Sequence, residues 1–205
     1  KSDLVRYVRE HGGRIGSLAD ACGAANTLSV DAAGGLQADN TDGLGIIEPL
    51  LERGARIDGG RAAVLGAGGL ARAAAAILLQ RGSRVDVFNR SRERAEQLAG
   101  DLGDLGPITC LQTVEADYDT IVQATSVGMA HGSAPNEDIL QVLGLSAATM
   151  LREDTVAIET IYDPIDTPFV QLARAAGCQV VTGQDMWLAQ AAAQQQVWTG
   201  IAPGF

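Results

Sequence analysis

The 205-residue sequence predicts an α/β protein, a doubly wound parallel sheet preceded by a partial α+β lobe. Two observations carry this expectation. From Arg61 onward, short apolar runs bounded by turns alternate with segments of helical periodicity, the pattern of a parallel sheet covered on both faces. Before Thr41 the order differs, with one helix followed by two strands about a glycine turn.

Taken in order, Asp3 to Glu10 has helical spacing, and Asn26 to Val30 and Leu36 to Ala38 read as strands around Gly34-Gly35. Leu44, Ile47, Leu50 and Leu51 recur at helical spacing from Thr41, a candidate N-cap, to Gly54, with Pro49 as a bend; this helix reads as a bridge between domains. After Gly59-Gly60 come a strand from Arg61 to Leu65, a helix from Leu70 to Arg81, a strand from Arg84 to Phe88 and a helix from Arg92 to Ala99. Gly100 to Pro107 reads as a loop. Thr120 to Ala124, Thr155 to Glu159 and Gln179 to Val181 are further strands, and Pro168 to Ala176 and Asp185 to Trp198 are helices. The expected division is a first lobe at 1–43, the doubly wound domain at 44–182, and a closing segment at 183–205 that packs back toward the first lobe.

Composition excludes several classes of function. With 15 Lys plus Arg against 25 Asp plus Glu, the net charge of -10 argues against nucleic acid as a partner. Apolar runs such as Ala73 to Leu79 fall well short of the roughly 20 residues that span a bilayer, and the opening residues lack the order of a secretory signal. Cys22, Cys110 and Cys178 are odd in number and far apart, so neither a disulfide framework nor a metal site is expected, and a reducing cytoplasm fits.

The strongest local signal is Gly66-Ala67-Gly68-Gly69-Leu70-Ala71, a G-x-G-x-x-A sequence between a strand and a helix. The first glycine permits a tight turn, the second lets backbone approach a pyrophosphate, and the small third residue allows close helix-to-strand packing. The helix N-terminus then offers free N–H groups and a partial positive charge to the phosphates. A purely structural strand-to-helix turn is the alternative, and the succession of strand, loop, helix and strand favours a Rossmann-like dinucleotide site. An NAD site usually carries an acidic residue roughly 20 positions on. Here that stretch reads Asn89-Arg90-Ser91-Arg92-Glu93-Arg94. A 2'-phosphate suits it: Arg90 can stack on adenine and pair with the phosphate, Asn89 and Ser91 can hydrogen-bond, and Arg94 lies one helical turn on. NADP is therefore expected over NAD, against the alternative of a solvated arginine cluster at a helix start.

These residues, with others along the chain, resemble the shikimate dehydrogenase family. Gly23-Ala24-Ala25-Asn26-Thr27 is similar to its Gly-Ala-x-Asn-Thr, and Asn40-Thr41-Asp42-Gly43 matches its Asn-Thr-Asp-Gly. Asn89 to Ala95 resembles Asn-Arg-Thr-x-x-Lys-Ala, with Ser91 for Thr and Arg94 for Lys. Ala124-Thr125-Ser126-Val127-Gly128-Met129 resembles Ala-Thr-x-x-Gly-Met, preceded by Gln123 where Asn is usual. Tyr162 to Thr167 is similar to Tyr-x-Pro-x-x-Thr, and Gly183 to Ala191 to Gly-x-x-Met-Leu-x-x-Gln-Ala, with Trp187 at the Leu position.

The resemblance implies reversible, NADP-dependent reduction of 3-dehydroshikimate to shikimate in aromatic amino acid biosynthesis. It implies Asp42 as a catalytic carboxylate beside a lysine, which would be Lys1, the only lysine in the chain, if a short insertion near Gly12-Gly13 is allowed. On local chemistry alone, Asp42 is a first-turn carboxylate answering a helix dipole. The resemblance further implies Asn26, Gln190 and Tyr162 at the substrate. Thr125, Ser126, Met129 and Gly183 would join Gly66 to Ala71 and Asn89, Arg90, Ser91 and Arg94 at the cofactor, with core packing expected for the side chains of Met129 and Met186. The family's preceding substrate-domain strands have no counterpart here, so the chain reads as part of a longer one. A fusion behind a dehydroquinate dehydratase, and a homodimer, stay open. The rivals are a quinate/shikimate dehydrogenase using NAD and a non-catalytic NADP-binding regulatory module.

Overall fold

A computed structural model describes residues 1–201; residues 202–205 of the expected closing segment lie outside the described residues. The first lobe runs α1 (Ser2–Glu10), β1 (Arg14–Ile15), α2 (Ser17–Cys22), β2 (Thr27–Val30) and β3 (Leu36–Asp39). Its three strands order β1-β3-β2, β3 parallel to β1 and antiparallel to β2. Val5 and Val8 of α1, Ala19 of α2 and Ala38 of β3 form its small buried core. The bridging helix α3 (Asp42–Glu52) leads to β4 (Arg61–Leu65), α4 (Gly69–Gln80), β5 (Arg84–Phe88), α5 (Arg92–Leu102), β6 (Ile108–Cys110) and β7 (Thr120–Gln123). Two one-turn helices, α6 (Ile139–Val142) and α7 (Ala147–Met150), precede β8 (Val156–Glu159), α8 (Pro168–Ala175), β9 (Gln179–Val181) and α9 (Gly183–Thr199).

The six strands of the second lobe are all parallel, in the order β6-β5-β4-β7-β8-β9. Strand alternation explains why both faces are covered. Ala62, Val64, Val122, Val156 and Ile158 face the helices α3, α4 and α5, while Ala63, Leu65, Ile121 and Ala157 face Ile139, Leu140, Met150 and Phe169. Winding proceeds outward from β4 in one direction and from β7 in the other, so the loops after these two strands diverge and leave a crevice between them.

Several elements depart from their sequence expectation. The loop expected at Gly100 to Pro107 is instead the end of α5 followed by a 3-10 turn at Gly103–Leu105. Leu98 and Leu102, four residues apart, both bury against the sheet side, and that burial outweighs the cost of about 1 kcal/mol for Gly100 in a helix. α2, α6, α7, β1 and β6 have six residues or fewer, too short for periodicity to register. Thr41 does stand at the N-cap of α3, but its φ of -94° and ψ of -8° are helical and its hydroxyl makes no capping bond.

The closing helix α9 packs along α3, and Gly45 sets how near the two approach. A Cβ at Gly45 would lie 2.7 Å from the Cβ of Gln190 and 2.8 Å from the carbonyl oxygen of Met186, both in α9. Glycine is required here because backbone meets backbone. Gly45→Ala is therefore expected to cost about 1–3 kcal/mol, read as a lowered urea midpoint at unchanged m-value.

Candidate functional site

Asn26 precedes β2 and stands at the centre of a hydrogen-bond network joining three stretches far apart in sequence. Its Oδ1 accepts from the backbone N–H of Thr41 at 2.9 Å. Its Nδ2 donates to Asp42 Oδ1 at 2.8 Å, to Thr41 Oγ1 at 3.1 Å and to Gln190 Oε1 at 3.4 Å. The Thr41 hydroxyl that does not cap α3 donates toward Gln190 Oε1 instead, at 3.3 Å. Asp42 is the first residue of α3 and is 6% exposed, so its charge meets the positive end of the helix as well as the Asn26 amide. Its other oxygen, Oδ2, accepts from Lys1 Nζ, completing an ion pair with one buried and one half-exposed member.

These groups open onto a cleft of about 290 Å³ between the lobes. Lys1, Asn26 and Asp42 line it from the first lobe and α3, Gln190 and Trp187 from α9, Thr160 and Tyr162 from the loop after β8, and Leu70 from the glycine loop. The expected groups from both lobes thus share one cavity. Tyr162 and Trp187 are 62% and 50% exposed, large aromatic faces left open at its rim. A wider hollow of about 520 Å³ between the C-terminal ends of α3 and α4 gathers no comparable set of polar groups.

On the second-lobe side, Gly66 has φ of +120°, and a Cβ there would come within 3.0 Å of the Ala124 carbonyl oxygen and of Thr125. Only glycine lets the loop turn at the point where the β4 and β7 loops part. Beyond it, Gly68 caps α4 in extended conformation with open space where a Cβ would stand, and no side chain caps the first N–H groups of α4. The loop can therefore take an anion at its backbone, which is what a pyrophosphate requires. Ala71 is fully buried against the sheet.

The arginine stretch is arranged less simply than its sequence suggests. Ser91 caps α5: its hydroxyl accepts from the Arg94 N–H at 3.4 Å and donates to Glu93 Oε2 at 2.9 Å. Asn89 Nδ2 donates to the Ser91 carbonyl at 2.8 Å. Arg92 pairs with Glu96, whereas Arg90 and Arg94 are exposed and form no ion pair among the described residues. Within this stretch these two guanidinium groups are the ones left without an ion pair among the described residues.

At the ends of β7 and β8 the chain carries residues whose importance periodicity does not register. Thr125 donates both its N–H, at 2.7 Å, and its hydroxyl, at 2.9 Å, to Gln123 Oε1, and Ser126 is exposed beside it. Met129, expected to pack in the core, is 39% exposed on the turn that follows, where no apolar layer covers it; Met186 is buried as expected. Gly183 opens α9 against the Ile161 carbonyl, too close for any side chain. Gln194, one turn beyond Gln190, lines the cleft and donates to the Asn26 carbonyl at 3.3 Å and to Thr27 Oγ1 at 3.2 Å. Its helical spacing from Gln190 is the one sequence signal that marks it.

A parallel sheet with a glycine loop at its switch point, facing an ammonium–carboxylate pair across a cleft, defines a two-lobed dinucleotide-binding oxidoreductase. The family model described as shikimate / quinate 5-dehydrogenase matches residues 50–131. The chain is 36% identical over 196 residues to the shikimate dehydrogenase (NADP(+)) of Aeromonas hydrophila, covering 93% of this chain and 68% of that protein. Among solved structures, the Thermus thermophilus shikimate 5-dehydrogenase in complex with NADP(H) and shikimate superposes with a TM-score of 0.76 at 34% identity, covering 93% of this chain and 67% of that one. The Listeria monocytogenes shikimate 5-dehydrogenase in complex with shikimate and NAD gives 0.83 at 26% identity, covering 95% and 70%. The chain belongs to the shikimate dehydrogenase family. It spans about two thirds of the length of the curated relatives it matches.

Burial pushes the Glu159 carboxyl at the end of β8 up to about 7 from the ordinary glutamate value of 4.5, partly offset by donors from Thr167, Ile161, Thr160 and Gln123. With the folded value raised, the folded chain holds this proton between about pH 4.5 and 7 while the unfolded chain has released it. Glu159 therefore contributes stability that is complete below that window and lost as pH rises through about 7. Glu159→Gln, which carries no titrating group, is expected to gain on the wild type by up to about 3 kcal/mol from pH 5 to pH 8, measured by urea unfolding at stepped pH.

Proposed function

We propose that this chain carries the cofactor domain and the acid/base pair of an NADP-dependent shikimate dehydrogenase, a cytoplasmic oxidoreductase that reversibly reduces 3-dehydroshikimate to shikimate. The observation that carries the reading is the Lys1–Asp42 pair, held by Asn26 in the same cleft as Leu70 of the glycine loop. The proposed division places the remaining substrate lobe at 1–43, the NADP domain at 44–182 and the closing segment from 183.

Each group has a definite task. Gly66 to Ala71 receive the pyrophosphate at the start of α4, and Arg90 and Arg94, with Asn89 and Ser91 shaping the turn, meet the 2'-phosphate. Thr125, Ser126, Met129 and Gly183 border the nicotinamide half. Bound there, the reduced nicotinamide supplies a hydride to the carbonyl carbon of the substrate. Lys1 Nζ holds the proton that the carbonyl oxygen takes up, and Asp42, paired with it, keeps the ammonium aimed. Asn26 and Gln190 present amides to the ring hydroxyls, and Tyr162 closes the rim. In the reverse direction the same pair receives the proton from the hydroxyl, as microscopic reversibility requires.

The exposed Arg90 and Arg94, and the lack of a carboxylate at Asn89, support NADP over NAD. The test follows nicotinamide absorbance with shikimate and then quinate, each with NADP and NAD, using this chain and the longest natural chain that contains it. Turnover of shikimate with NADP supports the reading, and NADPH binding without turnover in either chain would leave a cofactor-binding module. Light scattering of the longer chain separates a monomer from a homodimer.

Asp42→Asn is expected to lower kcat by roughly 100-fold or more while the Kd for NADPH moves by less than about twofold. Arg90→Ala should raise the Kd for NADPH by about tenfold or more and leave that for NADH nearly unchanged, read by nicotinamide fluorescence titration.

A further inference from the structure

Glu159 is fully buried, yet it ends a strand whose next residues line the cleft. Its Oε1 accepts from the backbone N–H groups of Thr160 at 2.7 Å and Ile161 at 3.0 Å, and its Oε2 accepts from the Thr167 hydroxyl at 2.6 Å. One carboxylate thus folds the whole segment from 160 to 167 over itself. The segment's position then sets two others. Ile161 presses its carbonyl on Gly183, fixing where α9 begins, and the Asp163 carbonyl accepts from Ala130 N–H at 3.0 Å in the loop after β7.

The neighbouring strand repeats the device. Gln123, in register with Glu159 across the β7–β8 pair, is also fully buried and turns its amide into the loop that follows it. Its Oε1 holds Thr125, and its Nε2 donates to the Val127 carbonyl at 3.1 Å. Two adjacent polar side chains under the carboxyl edge of the sheet therefore organise both loops on one side of the cleft. Neither is among the residues lining the cleft, and each is fully buried beneath the loop it holds.

We propose that Glu159 is a positioning residue for the nicotinamide half of the cofactor, acting through the backbone of Thr160 to Tyr162 and, with Gln123, through the 124–130 loop. The proposal rests on the cofactor assignment above, and its test is built to fail separately from it. Glu159→Met in the longest natural chain roughly keeps the side-chain volume and removes both carboxylate oxygens, putting a weakly accepting thioether in their place and leaving two N–H groups to find water by moving the loop. Glu159→Gln retains a carbonyl for both N–H groups, and the Thr167 hydroxyl can reverse to accept from the new amide. Two ligands divide the cofactor: NADPH, and adenosine 2',5'-bisphosphate, which lacks the nicotinamide and reaches only the glycine loop and the arginines.

The expected result is a Kd for NADPH raised roughly tenfold in Glu159→Met, with that for the bisphosphate changed less than about twofold, kcat lowered with it, and both restored to near wild type in Glu159→Gln. Equal weakening of both ligands, or no change in either, overturns the proposal. Should Glu159→Met fail to fold, Glu159→Ala, whose cavity admits water to the freed N–H groups, carries the same comparison. A wild-type chain that binds neither ligand overturns the cofactor assignment and the proposal with it; one that binds NADPH without turnover leaves the ligand comparison decisive.

Discussion

The Asn26 side chain joins the first lobe, the bridging helix and the closing helix at one point. Its carbonyl accepts the Thr41 N–H, and its amide reaches Asp42 and Gln190. A side-chain amide suits this place because it donates and accepts through one short, stiff group, so it can satisfy a backbone N–H and a carboxylate together. The network is half-buried, where an unmatched partner would cost more than any one bond contributes. The placing of Asp42 at the start of α3, of Gln190 on α9 and of Lys1 against Asp42 all depend on it.

Close packing supports that network from behind. Gly45 lets α3 and α9 lie near enough for Gln190 and Gln194 to reach Asn26 and Thr27, and Gly183 lets α9 start against the Ile161 carbonyl. Glycine is used at these places to remove volume between backbones. At Gly66 it serves a different end, a left-handed turn at the crevice between β4 and β7. The polar side chains of Lys1, Asn26, Asp42, Gln190 and Gln194 at the cleft are thus themselves hydrogen-bonded, while Leu70, Tyr162 and Trp187 add to its wall.

The charge arrangement follows the same economy. The chain is acidic overall, so attraction for an anionic ligand must come from local features. These are the start of α4, the guanidinium groups of Arg90 and Arg94, which form no ion pair among the described residues, and the ammonium of Lys1. Most other arginines are tied up in surface pairs such as Arg92 with Glu96 and Arg174 with Asp166.

The doubly wound sheet was legible in the sequence because each strand–helix unit is a local pattern: Arg61 to Phe88 contains two strands, a helix and the glycine loop within one short window. Short elements such as α2 and β6, and the continuation of α5 past Gly100, were not, since their stability comes from burial against partners distant in sequence. The same division holds at the cleft. Motif order marked Asp42, Asn26 and Gln190, noted Gln123 only as a departure from the usual Asn, and is silent on Glu159; the polar groups of these last two act on the loops that follow them only once β7 and β8 lie side by side. Sequence by itself determined the local hydrogen-bonding capacity and periodicity of each segment. Which buried polar group meets which backbone was decided by tertiary structure, because a lone carboxylate in the core is tolerated only where folded neighbours supply its donors.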